Sequence, residues 1–343
     1  MRQLLNTLFV MSEDVYLSLE GENVIANKDG KAVARYPLHT LQSIISFSYS
    51  GCSPALMGAC AEREISLTFC TPRGKFLARV GGVMTGNVLL RRMQYRVADD
   101  PSQSCRVARM MIFGKVYNAR WSVERTRRDH ALRIDEEAFQ TIAQNLQNIL
   151  PQIAEETSLD SLRGLEGAAA TEYFRVLDDM ILQGKDTFYF HGRSRRPPLD
   201  AFNALLSFAY SLLAHDCASA LESMGLDSYV GFLHRDRPGR ESLALDLMEE
   251  LRPCLADRFV LTLINNRIIK KSDFDFRENG AVFLTDQGRK NFLNQWQERK
   301  RDTIKHPFLG EKLPWGMVPY VQSLLLARYL REDLDEYPPF LWK

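Results

Sequence analysis

The sequence FLARVGGVMTGNVLLRRMQYRV, residues 76–97, marks a change in the chain from strand-like to helix-like patterns. Before it, short β-rich segments alternate with turn signals such as Lys28-Asp29-Gly30. After it, apolar residues recur at the spacing of amphipathic helices. The glycine-bearing stretch 81–87 is predicted to connect the two parts. We therefore expect an α+β fold in two domains, a small β-rich domain over 1–85 and a larger α-helical domain over 86–343.

The predicted elements follow from these two periodicities. Strands are expected in the first domain over residues 7–11, 15–19, 24–26, 32–36, 44–47, 65–70 and 76–80. One helix interrupts them, because Ser53 suits an N-cap position and Pro54 the first helical turn. Further helices are expected over residues 88–97, 102–126, 135–149, 158–182, 200–224, 242–251 and 318–331.

The composition excludes several classes of protein. The 343 residues are 45% hydrophobic, as in a packed globular chain, and their formal net charge of +1 says nothing about partners. The six cysteines form no C-x-x-C pair, so they predict buried side chains in a reducing compartment and not a zinc site. The N-terminus is not a convincing secretory signal, and no apolar run reaches the roughly 18–20 residues of a membrane helix. A soluble, cytoplasmic protein with no membrane contact is expected.

Basic residues are concentrated between Gly86 and His130, where Tyr95, Tyr117 and Trp121 lie among them. Guanidinium groups suit phosphate oxygens, so this stretch is a candidate for contact with nucleic acid, and solvated helix faces are the alternative. The basic residues of the stretch are Arg91, Arg92, Arg96, Arg106, Arg109, Lys115, Arg120, Arg125, Arg127 and Arg128. Two smaller clusters are Arg193, Arg195 and Arg196, and Arg299, Lys300, Arg301 and Lys305.

Glu166 lies in the stretch SLDSLRGLEGAAATEYF, residues 158–174, on or beside the apolar stripe of a predicted helix. A carboxylate that faces the core is costly unless it is paired or bound to a metal. The residues that follow it, Gly-Ala-Ala-Ala, are small and allow another backbone or a substrate to approach closely. The pattern leaves two interpretations open: a metal ligand, or a buried salt bridge with Arg163 or another arginine.

His234 ends a short apolar run and enters a loop that contains proline and glycine. Ser242 is predicted to cap the next helix, in which Asp246 and Glu249 are three residues apart and share a face. Two carboxylates on one face repel each other unless a cation lies between them. One imidazole with carboxylate oxygens is a donor set that suits Mn²⁺ or Mg²⁺. A hydrogen-bonded loop histidine is the alternative for His234.

Four segments of the helical part stand out, GLEGAAATEYF at 164–174, DAFNALLSFAYSLL at 200–213, GFLH at 231–234 and SLALDLMEELRP at 242–253. Together with SPALMGACAEREISLTFCTPRGKFLARV at 53–80 of the β-rich part, they resemble the CRISPR adaptation integrase, the universal subunit of spacer acquisition, and look closest to its subtype I-C branch. The resemblance implies a β-sandwich-like N-terminal domain, for dimerisation and partner contact, joined to an all-α catalytic domain. It also implies a homodimer that works with a small ferredoxin-like adaptation protein on double-stranded DNA and inserts short foreign fragments into the repeat array.

The same resemblance implies the site residues. The metal ligands of the family are a glutamate, a histidine and an acidic residue that is often aspartate, and they correspond to Glu166, His234 and Glu249, with Mg²⁺ or Mn²⁺ as the cofactor. Asp246 matches another acidic position, either an alternative ligand or a residue behind the ligands. Tyr210 matches a tyrosine near the site, and core packing is its alternative. The implied reaction is attack of a DNA 3′-hydroxyl on a repeat phosphodiester with metal assistance.

Two other functions stay open. A structure-specific, metal-dependent DNA nuclease of repair would use the same residues, with water as the attacking group. A non-catalytic DNA-binding assembly subunit would need the acidic residues and His234 only for structure. The chain has no Walker A sequence, so no ATP is implied. The acidic and aromatic stretch REDLDEYPPFLWK, residues 331–343, is either a docking segment or a packed end.

Overall fold

The computed structural model describes residues 7–10, 12, 14–41, 43–71, 76–80 and 88–343. The described residues divide into two compact units, one from 1–85 together with 284–302, and one from 86–283 together with 303–343. Residues 7–80 are rich in strands and residues 88–343 are mostly helical, which confirms the α+β fold class. The predicted connector 81–87 lies outside the described residues.

The strands of the first unit form two sheets within the described residues. The strands are β1 (Thr7–Val10), β2 (Tyr16–Glu20), β3 (Asn23–Lys28), β4 (Lys31–Pro37), β5 (Ser43–Ser46), β6 (Ser66–Cys70) and β7 (Phe76–Val80). One sheet has the order β1-β5-β6-β7, in which only β7 is antiparallel to its neighbour. The other is the antiparallel meander β2-β3-β4. Positive φ angles at Gly21, Asp29 and Gly30 make the tight turns that the sequence predicts.

Both sheets contribute to one hydrophobic core. Leu17 and Val24 of the meander and Ile44 and Leu67 of the other sheet are fully buried in the same cluster. Helix α1 (Pro54–Glu62) adds Leu56 to that cluster. It begins as predicted, because the Ser53 hydroxyl accepts a hydrogen bond from the Leu56 amide at 3.2 Å. A shared core of this kind is what a β-sandwich-like domain requires.

Helices make up most of the remaining chain. They are α2 (Val88–Asp99), α3 (Pro101–His130), α4 (Glu136–Glu155), α5 (Leu159–Arg175), α6 (Ala201–Ser223), α7 (Ser242–Glu249), α8 (Arg258–Asn265), α9 (Asp286–Arg301) and α10 (Val318–Leu330). A π-helical turn, Arg252–Asp257, precedes α8. Short strands complete the chain: β8 (Phe274–Phe276), β9 (Val282–Leu284), β10 (Thr303–Lys305) and β11 (Lys312–Pro314). Helix α9 belongs to the first unit, which includes residues 284–302.

Helix α6 is the central apolar helix of the second unit. Among the described residues it is the one helix long and apolar enough to cross a membrane, and 67% of its most apolar stretch is buried in the protein. Burial to that extent is typical of a core helix. The six cysteines of the chain are also buried, as predicted. Burial raises the pKa of the Cys52 thiol to about 11 and that of Cys60 to about 12.

Two predicted helix ends and one predicted N-cap are wrong. The helix expected over 135–149 continues to Glu155. The helix expected over 158–182 ends at Arg175, because turns follow and the Asp178 carboxylate accepts a hydrogen bond from the Phe190 amide at 2.6 Å. Ser242 does not cap α7: Glu241 holds the N-cap position, and the Ser242 hydroxyl donates to the Arg235 carbonyl at 3.3 Å. The sequence analysis also missed the π-helical turn, α8 and α9.

The segment 331–343 is a packed end in this structure. Tyr337 and Phe340 are buried, and both contact the buried Glu250 carboxylate through the Tyr337 hydroxyl and the Phe340 amide. Burial raises the pKa of Glu250 to about 7, although these hydrogen bonds and one from Gln322 act in the opposite direction. The side chain of Asn118 accepts a hydrogen bond from the Trp342 amide at 2.8 Å.

Candidate active site

Helix α5 brings Glu166 to the edge of a buried face. The helix begins after Ser158, whose hydroxyl accepts a hydrogen bond from the Ser161 amide at 3.5 Å. Leu162 and Ala169 are buried, as the apolar stripe predicts. The Glu166 side chain is 28% exposed, so its carboxylate is partly accessible from solvent.

Lys115 of α3 joins Glu166 to Glu249. Its ammonium group donates a hydrogen bond to Glu166 Oε1 and lies 2.7 Å from Glu249 Oε2. The sequence analysis counted Lys115 only among the basic residues of its stretch and did not identify it as a site residue. A salt bridge to Glu166 is therefore present, but its partner is a lysine. Arg163 contacts the Leu233 carbonyl and Asp160 instead.

Glu249 is almost completely buried and is held by two cations. Arg252 Nη1 lies 2.7 Å from Glu249 Oε1, one helical turn further along the chain. Burial alone would raise the pKa of Glu249, but the charges of Arg252 and Lys115 outweigh burial and lower the pKa to about 2. Glu249 is therefore ionised at neutral pH. Arg252 was missed by the sequence analysis, although its spacing of three residues from Glu249 was a signal for an ion pair.

Asp246 orients His234. Asp246 Oδ1 lies 2.5 Å from His234 Nδ1, and its two oxygens also accept hydrogen bonds from the amides of Phe232, Leu233 and His234 at 2.6–3.0 Å. Because a carboxylate only accepts, the His234 Nδ1 atom carries the proton of this hydrogen bond. Asp246 is fully buried and all of these donors point at it, which fits a residue behind the ligands better than a ligand.

Tyr210 of α6 supports the same cluster from behind. Its hydroxyl donates a hydrogen bond to Asp257 Oδ1 at 2.6 Å, and the Arg252 guanidinium carbon lies 4.9 Å from the centre of its ring. Arg193 stacks on the ring at 5.3 Å. Burial raises the pKa of Asp257 to about 6, against the effect of its Tyr210 hydrogen bond. The geometry therefore gives Tyr210 a positioning role toward Arg252.

A groove of about 440 Å³ passes His234. It is lined by Arg163, Arg235 and Asp160, by the start of α5 and by the loop that carries His234. Two of these side chains are cationic, and Arg163 also fixes the loop by donating to the Leu233 carbonyl at 2.6 Å. Asp160 and Asp236 also line the groove, so its two arginines and two aspartates balance in charge, and Asp160 pairs with both arginines.

The residue types at this site fit a divalent cation. Within the described part of the chain, no three His, Cys, Asp or Glu side chains stand close enough together to hold a metal ion. Lys115 contacts both Glu166 and Glu249. The Glu249 Oε2 atom is buried and lacks an aligned hydrogen-bond donor, although the Lys115 ammonium is within ion-pair distance. Carboxylate oxygens with one imidazole suit Mg²⁺ or Mn²⁺. Glu166, His234 and Glu249 stay the predicted ligands.

Comparison with known proteins identifies the family. The family model described as CRISPR associated protein Cas1 matches residues 8–298. The chain is 48% identical to CRISPR-associated endonuclease Cas1 1 of Chlorobaculum tepidum and 50% identical to CRISPR-associated endonuclease Cas1 2 of Rhodospirillum rubrum, each over the full length of both chains. The chain belongs to the Cas1 family of CRISPR-associated endonucleases, which confirms the resemblance at the level of the family.

Solved structures support the fold. A casposase bound to its integration product has a TM-score of 0.83 at 21% sequence identity, and the match covers 99% of this chain and 95% of that one. A chain of a Cas6-RT-Cas1–Cas2 complex has a TM-score of 0.80 at 22% identity, and the match covers all of this chain and 36% of that one. At this level of identity, the similarity shows a common fold.

Proposed function

We propose that this protein is a metal-dependent DNA integrase and endonuclease of CRISPR adaptation, which inserts short DNA fragments into the repeat array. The observation that carries the proposal is the partly buried Glu166–Lys115–Glu249–Arg252 cluster beside the His234–Asp246 pair, in a chain of the Cas1 family. The full-length relatives are named endonucleases, and the casposase of similar fold was captured with its integration product. Both findings support phosphodiester chemistry on DNA.

The proposed reaction exchanges one phosphodiester for another. The 3′-hydroxyl oxygen of a DNA fragment forms a bond to the phosphorus of a repeat phosphodiester. The bond from that phosphorus to the 3′-oxygen of the repeat strand breaks. The attacking hydroxyl loses a proton and the leaving oxygen gains one, so the reaction is balanced without ATP or a covalent protein intermediate.

The side chains of this site have distinct proposed roles. Glu166, Glu249 and His234 would hold the Mg²⁺ or Mn²⁺ ion, which supplies Lewis-acid polarisation of a phosphoryl oxygen when bound. Asp246 keeps the His234 ring in one orientation. Arg252 adds positive charge toward the negative charge that develops on the phosphate.

The remaining partners are also proposals. The basic stretch between Gly86 and His130 is proposed to contact double-stranded DNA, as its arginines suit phosphate. A homodimer and a small ferredoxin-like partner are proposed, and the fold shared with a chain of a Cas1–Cas2 complex supports the latter. The assignment to the subtype I-C branch, the division at residue 85 and the cytoplasmic location stay predictions.

A joining assay tests the function. Purified protein, its small partner, a short duplex with free 3′-OH ends and a supercoiled plasmid that carries the repeat are mixed with Mn²⁺ or Mg²⁺. We expect joined product from the wild type and a loss of at least two orders of magnitude for Glu166→Gln, because this change removes a carboxylate from the site. Glu172→Gln is the matched control: it lies on the same helix, but its carboxylate pairs with Asn145 and Arg175.

Each outcome of this assay decides between functions. Joining by the wild type and Glu172→Gln, with none by Glu166→Gln, supports the integrase. Cleavage without joining contradicts the integrase and favours the nuclease. Equal joining by Glu166→Gln and the wild type contradicts the proposed site, and the absence of both products from the wild type favours the assembly subunit.

A further inference from the structure

Lys115 connects carboxylates from two different helices. It lies on α3, Glu166 lies on α5 and Glu249 lies on α7. The ammonium group contacts an oxygen of each, and the Lys115 side chain is only 14% exposed. Lys115 is therefore the group that holds the two carboxylates together in this structure.

The charges of the cluster are already balanced. Glu166 and Glu249 contribute two negative charges, and Lys115 and Arg252 contribute two positive ones. A divalent cation that bound both carboxylates would add two further positive charges in the same small space. The metal ion and the basic groups would repel each other strongly at such short distances in a partly buried site. One of the basic groups therefore has to move away.

Lys115 and Arg252 differ in how easily they can move. The two side chains are about equally buried, but Arg252 is held by its pair with Glu249 Oε1 and by its contact with the Tyr210 ring. The Lys115 ammonium lies at the end of a flexible four-carbon chain, 2.7 Å from the Glu249 Oε2 atom, and no ring among the described residues packs against it in the way that Tyr210 packs against Arg252. It also lies between the two oxygens that a shared cation would bind. Lys115 is therefore the group that a metal ion would displace.

We propose that Lys115 is a built-in competitor for the divalent cation: its ammonium group bridges Glu166 and Glu249 and has to leave before one metal ion can bind both. This inference rests on the proposed function, because it takes those carboxylates as metal ligands. The lysine keeps the carboxylates from repelling each other and raises the metal concentration at which the site fills. Lys115 is a positioning residue, because it affects metal binding through the two carboxylates that it holds.

Metal binding by the chelator-treated, full-length protein tests the inference without DNA. Mn²⁺ affinity is measured by calorimetric titration for the wild type and for Lys115→Met, which keeps the length of the side chain and removes its charge. We expect Lys115→Met to bind Mn²⁺ roughly tenfold more tightly, because the ion no longer has to break the ion pairs of Lys115. Lys185→Met is the matched control, since Lys185 pairs with Asp178 at 2.6 Å elsewhere in the same unit. It should bind Mn²⁺ like the wild type.

Thermal unfolding gives a second readout. Without metal, Lys115→Met should unfold at a lower temperature than the wild type, because two carboxylates are left to repel each other. Added Mn²⁺ should raise its melting temperature more than that of the wild type. If Lys115→Met does not fold, Lys115→Arg decides instead: the guanidinium fork pairs more firmly with carboxylates, so Mn²⁺ should bind several-fold more weakly than to the wild type.

The two proposals fail in different ways. If Glu166→Gln abolishes Mn²⁺ binding but Lys115→Met leaves it unchanged or weakens it, the role of Lys115 is overturned. The proposed metal site is then still supported. Mn²⁺ binding that is the same in the wild type and Glu166→Gln, or absent from both, overturns the metal site and the inference with it.

Discussion

Asp246 determines the shape of the loop that carries His234. Its oxygens accept three backbone hydrogen bonds and one from the His234 ring while the residue is fully buried. These donors replace the water that an ionised carboxylate loses on burial. If the side chain turned away, several buried N–H groups would lose their acceptor, at a cost of roughly 1–3 kcal/mol each. The loop is therefore restrained to one conformation around this carboxylate.

Gly231 gives Asp246 the space to approach the loop. A Cβ atom at this position would lie 2.8 Å from Asp246 Oδ2 and 2.9 Å from the Ser242 Cβ atom. We expect Gly231→Ala to lower the free energy of unfolding by roughly 1–3 kcal/mol, the usual cost of overpacking. Joining activity should fall as well, because a displaced Asp246 no longer orients His234. Denaturant unfolding and the joining assay measure the two effects.

Gly164→Ala is the control for that substitution. A Cβ atom at Gly164 would meet nothing within 4 Å, and the position is exposed on α5. Alanine is favoured over glycine there by roughly 0.5–1 kcal/mol, so this variant should be slightly more stable. Wild-type stability and joining in Gly231→Ala would show that the close approach is not needed.

At the scale of single residues, the sequence points to parts of the site only. The apolar stripe locates Glu166, and the loop context and the helical spacing make His234 and Glu249 candidates. The resemblance then assigns all three as ligands. Lys115 is hidden, because it is 51 residues from Glu166 and its charge looks like that of the neighbouring arginines. Only the packing of α3 against α5 and α7 brings its ammonium group to the carboxylates. Long-range pairs of this kind leave no periodic signal in one sequence.

Helix α3 connects the site to the C-terminal segment. Lys115 points to the carboxylates, and a Cβ atom added at Gly114 would lie 3.1 Å from Glu250 Cβ and 3.2 Å from Pro339 Cβ. One turn later, the Asn118 side chain donates to the carbonyls of Glu250 and Phe340, both at 2.7 Å. The same helix therefore fixes the end of α7 and the segment 331–343.

Asn118→Leu should be strongly destabilising. The leucine has a similar volume but leaves the Glu250 and Phe340 carbonyls and the Trp342 amide without the partner they have now. With roughly 1–3 kcal/mol for each buried group left unsatisfied, we expect a loss of about 3 kcal/mol or more. Denaturant unfolding measures it. Asn148→Leu, at an exposed position of α4, should change stability by less than about 0.5 kcal/mol. Equal stability of the two variants would show that the hydrogen bonds of the Asn118 side chain do not stabilise the C-terminal segment.

The elements show where periodicity is a reliable guide. The strands and the helices α1 to α4, α6 and α10 appear close to their predicted positions, since alternation and helical spacing report directly on burial. The end of α5 was wrong because a distant amide, that of Phe190, takes the Asp178 carboxylate. The π-helical turn was missed because Pro253 looked like the end of a helix. Tertiary contacts decide these cases.

For the whole molecule, net charge is a poor guide to DNA binding. The total is +1, yet Arg92, Arg96 and Arg106 are exposed along the basic stretch. If they contact phosphates, changing all three to Gln should lower the slope of log affinity against log salt by roughly 0.9 for each phosphate that is no longer neutralised. Fluorescence anisotropy with a short duplex at several salt concentrations measures that slope.

A charge-matched variant separates specific contact from general attraction. Arg267, Lys270 and Lys271 are also exposed and lie outside the basic stretch. Changing them to Gln removes the same charge and should leave the slope nearly unchanged. Equal slopes for the two triple variants would contradict a DNA-binding role for the stretch.

The fold of the whole chain was predictable because its signals are spread along its length. The change of periodicity near residue 85 gives the α+β class, and the resemblance covers segments of both parts. The inclusion of residues 284–302 in the first unit had no signal in the sequence, where only the basic cluster from Arg299 onward was noted. Assembly of distant segments into one unit depends on contacts that a local pattern does not contain.

The burial of the six cysteines has a practical consequence for spectroscopy. Thiolates are the reactive form. Burial hides all six sulfur atoms and raises the pKa of the thiols of Cys52, Cys60, Cys70, Cys105 and Cys254. Maleimide dyes should therefore leave the native chain almost unlabelled. A cysteine introduced at Leu132, which is fully exposed, would carry a fluorophore with little background. Single-molecule distance measurements should therefore be possible without first replacing the native cysteines.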